Sequence, residues 1–102
     1  MVDLIVIGAG PAGIFTALEM IKKGSKKSIT IVEKGQSVEK RHCPKDKTKK
    51  CVNCNPCSIT TGFSGAGAFS DGKLSLSAEV GGDLPELIGY ETVEELIKYT
   101  DN

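Results

Sequence analysis

The order of hydrophobic and polar positions predicts regular structure in the first third of the chain. Residues 2–7 form a nearly continuous apolar run, which is typical of a strand buried in a parallel sheet. After a glycine-rich turn, apolar residues recur at helical spacing, namely Ile14, Ala17, Leu18 and Ile21. Gly24, which follows two lysines, predicts the end of this helix. Residues 28–33 are rich in β-branched side chains and predict a second strand. Residues 1–34 therefore form a predicted βαβ unit of an α/β fold.

The remaining two thirds of the chain show weaker patterns. Residues 35–58 have no sustained hydrophobic period and predict a polar, cysteine-rich loop. Residues 59–102 begin with a Gly-rich segment, followed by alternation at residues 73–77 that predicts a short strand. Thr92 and Glu95 have the spacing of a capping box, which predicts that the last helix begins there.

The glycine turn (residues 8–13) has the spacing GxGxxG between the predicted strand and helix. In a dinucleotide site, Gly8 allows the tight turn, Gly10 lets the backbone approach a pyrophosphate, and Gly13 lets the helix pack closely on the sheet. The helix N-terminus then holds the phosphates. Glu33 ends the second strand, where a carboxylate accepts hydrogen bonds from the adenosine ribose. Its charge disfavours the 2′-phosphate of NADP.

Composition limits the size and the class of the protein. The chain has 102 residues, 39 % of them hydrophobic, with four cysteines and a formal net charge of zero. This balance argues against a dedicated nucleic-acid partner. No apolar run is long enough for a membrane span and no signal peptide is visible, so we expect a cytoplasmic protein. The charge is unevenly distributed, with a net of +6 over residues 1–70 and −6 over residues 71–102.

A complete dinucleotide-binding domain needs more parallel strands than this chain provides. No third βα repeat follows residue 34. We therefore predict an incomplete Rossmann-like FAD/NAD(P)-binding unit. We expect the isolated chain to bind a dinucleotide poorly or not at all, and to be inactive as an enzyme on its own. Residues 1–102 are predicted to be the N-terminal fragment of a larger FAD-binding domain, and the rest of that protein is needed to complete it.

The first 35 residues carry a resemblance to a known superfamily. Residues 3–13, together with residues 31–35, are similar to the N-terminus of the two-dinucleotide-binding-domain flavoproteins. The resemblance implies that this segment holds the ADP half of FAD. It implies a set of cofactor-binding residues: Gly8, Gly10, Pro11, Ala12, Gly13, Glu33 and Lys34.

A second resemblance extends over nearly the whole chain. Residues 41–44, the cysteine run at residues 51–57 and residues 62–74 resemble a bacterial family of uncharacterised FAD-dependent dehydrogenases, the NAD(P)/FAD-dependent oxidoreductases. It implies an enzyme that passes hydride or electrons through a flavin, with a small-molecule substrate and NAD(P)H as a possible electron donor. No catalytic residue can be named from the sequence, and Asp71 and Lys73 are suggested by position only.

The second glycine block (residues 62–72) holds four glycines in eleven residues. In the flavoproteins that the chain resembles, a stretch of this kind passes close to the isoalloxazine ring. The resemblance therefore implies flavin contacts from Ser64, Gly65, Ala66 and Gly67. Arg41 is interpreted either as a partner of the FAD pyrophosphate or as a solvated cation.

Four cysteines lie within fifteen residues, at Cys43, Cys51, Cys54 and Cys57. Three functional interpretations remain open. The thiols could hold a [4Fe-4S] cluster, since C-x2-C-x2-C resembles a ferredoxin run. They could bind structural zinc through all four thiolates, or with His42 replacing one of them. They could instead form a dithiol pair that works with the flavin. The fourth interpretation is four reduced thiols on a loop.

Two functions compete with an FAD-dependent oxidoreductase. An NAD-binding dehydrogenase segment would use the same glycine turn and Glu33. A small metal-binding or electron-transfer module would use the four cysteines and no nucleotide. A flavin absorbance band, NADH binding or stoichiometric zinc would distinguish the three.

Overall fold

The computed structural model describes residues 1–102 and has a mixed α/β composition. The elements follow in the order β1 (Leu4–Ile7), α1 (Pro11–Lys22), β2 (Ile29–Val32), a 3-10 helix (Val38–Lys40), α2 (Lys45–Thr48), a second 3-10 helix (Gly65–Phe69), α3 (Leu84–Ile88) and α4 (Tyr90–Asp101). Both predicted strands and the helix between them are present, although each strand is shorter than predicted because hydrogen bonding covers only four residues.

The two strands form a parallel sheet in which Leu4 pairs with Ile29 and Ile7 pairs with Val32. At its amino end, Asp3 and Ser28 exchange hydrogen bonds. The Ser28 amide donates to Asp3 Oδ2 at 2.9 Å, and the Asp3 amide donates to Ser28 Oγ at 3.0 Å. These reciprocal bonds extend the pairing by one residue and favour this register.

Helix α1 packs on one face of the sheet and leaves much of its apolar surface uncovered. Ala17 is buried, whereas Leu18 and Ile21, which follow the same helical spacing, are exposed. On the opposite face of the sheet, Ile5 and Ile7 are also exposed, Ile7 by 80 %. A two-stranded sheet is too narrow to cover a full helical stripe, and this explains the difference.

The predicted end of α1 is confirmed. The helix ends at Lys22, and Gly24 follows with a φ of +80°, the left-handed conformation that glycine adopts without strain. The Ser25 amide donates to the Met20 carbonyl at 3.0 Å, and the Gly24 amide donates to the Ile21 carbonyl at 2.9 Å. These bonds satisfy carbonyl groups of the last turn.

Residues 35–58 are less irregular than predicted. They include the 3-10 helix Val38–Lys40 and the single-turn helix α2. The second glycine block also contains a helical turn, Gly65–Phe69, where the sequence indicated only a series of turns. Elements this short leave almost no trace in hydrophobic periodicity.

The chain divides into two compact units, Met1–Ser70 and Asp71–Asn102. The boundary coincides with the position where the charge changes sign, from a basic first part to an acidic second part. The first unit contains the βαβ unit, the cysteine-rich stretch and most of the second glycine block. The second unit contains α3 and α4.

Two predictions for the second unit are wrong. Residues 73–77 do not form a strand, because no neighbouring strand is present to pair with them. Helix α4 begins at Tyr90, and Gly89 is its N-cap residue without a side-chain cap, so Thr92 lies inside the helix. Helix α3, with Pro85 in its first turn, was missed because five residues are too few to show a period.

No helix of the structure has both the length and the apolar character that a bilayer span requires.

Candidate functional site

The glycine turn connects the end of β1 to α1 and has a different steric demand at each glycine. Gly8 has a φ of +98°, and its amide donates to the Val32 carbonyl at 2.7 Å, which fixes the turn to the end of β2. A Cβ at Gly13 would collide with the Gly8 carbonyl oxygen. A Cβ at Gly10 would meet no other part of the chain within 4 Å. Gly8 and Gly13 thus shape the fold, whereas the surface of Gly10 is free for a ligand to approach.

No side chain accepts a hydrogen bond from the first amides of α1. Gly10 is the N-cap residue, no side chain caps the first turn, and no acidic residue lies in that turn. Pro11 occupies the first helical position, where its missing N–H costs no hydrogen bond. The free amides and the positive end of the helix dipole favour an anion at this position.

Glu33 lies at the end of β2, and both of its carboxylate oxygens accept backbone hydrogen bonds. The Ala9 amide donates to Oε2 at 2.8 Å, and the Gly35 amide donates to Oε1 at 2.8 Å. These two N–H donors, the Ala9 amide first, hold the pKa of Glu33 below its ordinary value of 4.5. The carboxylate is therefore ionised at neutral pH and joins the glycine turn to β2.

A cleft of about 360 Å³ opens beside this carboxylate, lined by Ile7, Gly8, Val32, Glu33 and Lys34. It lies at the carboxyl ends of both strands, the place where α/β sheets bind ligands. Each carboxylate oxygen of Glu33 has a second lone pair, which can accept a hydroxyl donor after the backbone bonds are made. The residues present therefore fit a ribose at Glu33 and a phosphate group at the N-terminus of α1.

The second glycine block lies directly against the glycine turn. The Ser64 amide donates to the Ala9 carbonyl at 2.6 Å. A Cβ at Gly65 would lie 3.7 Å from Gly10 Cα, so the two backbones run close together. Ala9, which is only 1 % exposed, consequently bonds Glu33 through its N–H and Ser64 through its C=O.

Gly35 and Gly62 allow a second pair of backbone segments to approach each other closely. Gly62 forms a parallel bridge with Gln36, and the Phe63 amide donates to the Gln36 carbonyl at 3.1 Å. A Cβ at Gly35 would come within 2.5 Å of Gly62 Cα, which only glycine avoids. These contacts bring the second glycine block alongside the chain that leaves β2.

Arg41 is buried, and its interpretation as a solvated cation is wrong. Its side chain is only 5 % exposed, and its terminal nitrogens donate to backbone carbonyl groups, those of Ser58, Ile59, Phe63 and Gly65. The guanidinium carbon lies 4.8 Å from the centre of the Phe69 ring. The guanidinium thus bonds the chain itself, and the predicted contact with a pyrophosphate stays untested.

The structure does not bring the four cysteines together into a set of metal ligands. All four are free thiols, with Cys43 half-buried and the other three exposed, and no three His, Cys, Asp or Glu side chains lie close enough to share one ion. Helix α2 stands between Cys43 and Cys51 in the chain. The hypothesis of an iron–sulfur cluster or zinc at these thiols is unsupported, and His42 adds no ligand set.

One thiol of this group has a distinct environment. Backbone N–H groups of Thr60 and Ile59 and the Thr60 hydroxyl lower the pKa of Cys57 below its ordinary value of 9.0. The Thr61 amide donates to the Cys57 carbonyl at 2.9 Å, so Cys57 begins a hydrogen-bonded turn. Donors directed at the sulfur stabilise the thiolate.

Comparison with known proteins finds a similarity to an FAD-binding family in the N-terminal part of the chain. Residues 3–42 match the family described as FAD binding domain. The chain is 43 % identical over 72 residues to an uncharacterized protein of Clostridium beijerinckii, an alignment that covers 70 % of this chain and 13 % of that protein. The chain therefore spans only a small part of the length of this relative. No solved structure matches.

The matched residues include the glycine turn, α1, β2 and Glu33. The predicted resemblance to the N-terminal part of FAD-binding flavoproteins is thus confirmed, and FAD is supported as the nucleotide of this segment. The α/β unit with a parallel sheet agrees with a partial Rossmann-like unit.

Two features of the site were missed in the sequence. Ala9 lies between the first two glycines, and nothing in its residue type indicates that its peptide group bonds two distant segments. Arg41 was recognised as a candidate, but its carbonyl acceptors were not. Nothing in the type or spacing of the surrounding residues indicated which carbonyl groups would approach it.

Proposed function

We propose that this chain is the N-terminal FAD-binding segment of an FAD-dependent oxidoreductase. The observation that supports this most strongly is the combination of an uncapped α1 N-terminus, an open Gly10 surface and an ionised Glu33, all within residues matched by the FAD binding domain family. The flavin, when bound, supplies the hydride or electron transfer.

In this proposal the residues of the chain bind and orient the cofactor. The α1 N-terminus, with Gly10, Pro11, Ala12 and Gly13, holds the pyrophosphate, and Glu33 accepts hydrogen bonds from the ribose hydroxyls. Lys34 lines the same cleft and lies beside Glu33. The second glycine block, through residues 64–67, contacts the flavin with bare backbone.

The wider proposal concerns the protein that would contain this segment. Further parallel strands, supplied beyond these residues, would widen the sheet, and their crossover helices would cover the exposed apolar face of β1. The substrate is a small molecule, NAD(P)H is an eligible electron donor, and neither nucleic acid nor membrane takes part. A reducing environment such as the cytoplasm would keep the four cysteines as free thiols.

Nucleotide titration of the ¹⁵N-labelled chain tests the site directly. We expect FAD and ADP to shift the amide signals of residues 8–10, 12–13 and 33–34, even at weak affinity. The Gly10→Ala variant should lose these shifts while keeping the wild-type spectrum elsewhere. Lys98→Ala, on α4 of the second unit, is the matched control and should behave as wild type.

Three outcomes would contradict the proposal: no shift with any nucleotide, shifts confined to other residues, or undiminished shifts in Gly10→Ala. A response to NADH that exceeds the response to ADP and FAD would favour the NAD-binding dehydrogenase instead.

A further inference from the structure

Arg41 is the one charged side chain that the structure buries, and no carboxylate accompanies it. The guanidinium has no ion pair in the structure. Its positive charge is compensated by carbonyl dipoles and by the face of the Phe69 ring, 4.8 Å away. Burying a charge is unfavourable unless its donors are satisfied, so this arrangement needs every one of these partners.

The carbonyl groups that accept hydrogen bonds from the guanidinium form two pairs along the chain, with a few residues between them. One terminal nitrogen, Nη1, donates to the carbonyls of Ser58 and Ile59 at 3.2 and 3.3 Å. The other, Nη2, donates to those of Phe63 and Gly65 at 2.7 and 3.0 Å. A planar fork of fixed donors therefore closes residues 58–65 into one loop.

Ser64 lies between the two acceptors of Nη2, and it is the residue that reaches the glycine turn. It has a φ of +67°, a left-handed conformation that serine adopts only where its surroundings hold it. In that conformation its amide donates to the Ala9 carbonyl. The bonds of Arg41 to the neighbouring carbonyls thus hold the strained residue that joins the two glycine-rich stretches.

We propose that Arg41 is a positioning residue that fixes the second glycine block against the glycine turn, and so places residues 64–67 for contact with the flavin. This inference rests on the proposed function for its ligand. It differs from a direct contact with the pyrophosphate, because both terminal nitrogens already have two carbonyl acceptors each. The remaining donor, Nε, is buried beside Gly62 and has no hydrogen-bond partner, so the guanidinium is held by its two terminal nitrogens.

Amide hydrogen exchange of the full chain without nucleotide tests the positioning role. The variants are Arg41→Lys, Arg41→Met and, as the matched control, Lys40→Met at the neighbouring exposed residue. Lysine keeps the charge but not the planar fork. We expect both Arg41 variants to exchange at least tenfold faster at Ser64, with less than a threefold change at Val6 in β1. Lys40→Met should match the wild type.

Wild-type protection of Ser64 in Arg41→Lys would overturn the proposal, because charge alone would then suffice. Equal acceleration at Ser64 and Val6 would also overturn it, because Arg41 would then support the whole fold. If the Arg41 variants do not fold, Phe69→Leu, which removes only the ring, decides. It should accelerate exchange at Ser64 about threefold without affecting Val6, and an unchanged rate at Ser64 overturns the proposal.

Comparing ADP with FAD in the same variants separates positioning from direct contact. We expect Arg41→Lys to weaken FAD binding at least tenfold and ADP binding less than threefold, because ADP lacks the half that residues 64–67 would contact. Equal losses for ADP and FAD would mean that Arg41 touches the pyrophosphate, and would overturn the proposal. If the wild type binds neither nucleotide, the proposed function fails, and hydrogen exchange alone decides the role of Arg41.

Discussion

The amide of Ser64 donates a 2.6 Å hydrogen bond to the carbonyl of Ala9, and this bond joins the two glycine-rich stretches of the chain. Ala9 is at the same time bonded to Glu33 through its N–H. One buried peptide unit therefore connects the end of β1, the end of β2 and the second glycine block. A candidate cofactor site assembled in this way depends on the close approach of backbone segments that are distant in the chain.

The glycines of the turn should separate into structural and ligand-facing positions. In Gly13→Ala the new methyl group collides with the Gly8 carbonyl and lies 3.1 Å from Val6 Cγ1, so helix and sheet must move apart. We expect the free energy of unfolding, measured in urea, to fall by about 2–3 kcal/mol. Gly10→Ala, which meets no other atom, should lose less than about 1 kcal/mol, the scale of an N-cap change.

For nucleotide binding the order should be reversed, with the larger loss in Gly10→Ala. Gly10→Ala places a methyl group on the surface that a pyrophosphate would approach, so the FAD-induced amide shifts should disappear in a folded protein. Similar stability losses in both variants would contradict the steric roles assigned to the two positions.

Glu33 should make part of the stability of the first unit dependent on acid pH. The two amides bind its ionised form, and its pKa in the folded chain therefore lies below the ordinary value of 4.5. As the pH falls, the unfolded chain therefore takes up a proton at this residue before the folded chain does. The stabilisation is fully present above that ordinary value and is lost as the pH falls through the lowered pKa. We expect the Tm of the wild type, followed by circular dichroism, to fall over this interval.

In Glu33→Gln this portion of the acid dependence should be absent, because the amide has one acceptor oxygen at every pH. The Tm values of variant and wild type should differ at pH 7 and converge toward pH 3. Glu95→Gln, at an exposed position of α4, is the control and should follow the wild type. Parallel curves for Glu33→Gln and the wild type would contradict the assignment.

Cys57 should be the first of the four thiols to react with iodoacetamide near neutral pH. The donors from Thr60 and Ile59 lower its pKa, which raises the thiolate fraction, and the thiolate is the reactive form. Peptide mapping by mass spectrometry should show label at Cys57 accumulating about threefold or more faster than at the equally exposed Cys51.

Thr60→Val tests the cause of this difference, since it removes the hydroxyl donor and leaves the backbone donors. The rate at Cys57 should fall partway toward that of Cys51. Equal labelling of the two thiols in the wild type would show that the turn does not activate Cys57.

Ser28 should stabilise the start of the parallel sheet. Its hydroxyl accepts the Asp3 amide and donates to Asp3 Oδ2, and Ser28→Ala removes both bonds. Because the pair is exposed, water replaces part of the loss, and we expect the free energy of unfolding to fall by about 1 kcal/mol. Ser75→Ala, at an exposed position of the second unit, should have no measurable effect.

A double-mutant cycle with Asp3→Asn completes this test. The coupling energy between the two positions should be favourable and below about 1 kcal/mol. Additive losses in the free energy of unfolding would mean that the two residues act independently. The register would then be held by other pairs between β1 and β2.

The first unit was predictable where neighbouring residues determine the structure. The apolar run at residues 2–7, the glycine spacing and the stop at Gly24 each act within a few residues, and each is found where the sequence placed it. Prediction was less successful at residues 73–77, where a strand needs a partner that periodicity cannot supply. The exposure of Leu18 follows from the same limit, because burial depends on how many strands lie beneath a helix.

The sequence by itself determined the βαβ unit, the steric task of each glycine in the turn and the placement of an acid after β2. These follow from local backbone freedom and from the periods of strand and helix. Only the tertiary structure decided that Glu33 bonds the Ala9 and Gly35 amides, that Arg41 is buried among carbonyls, and that no three metal-ligating side chains come together. Those outcomes depend on which distant segments come together. Residue types and spacing along the chain do not specify that approach.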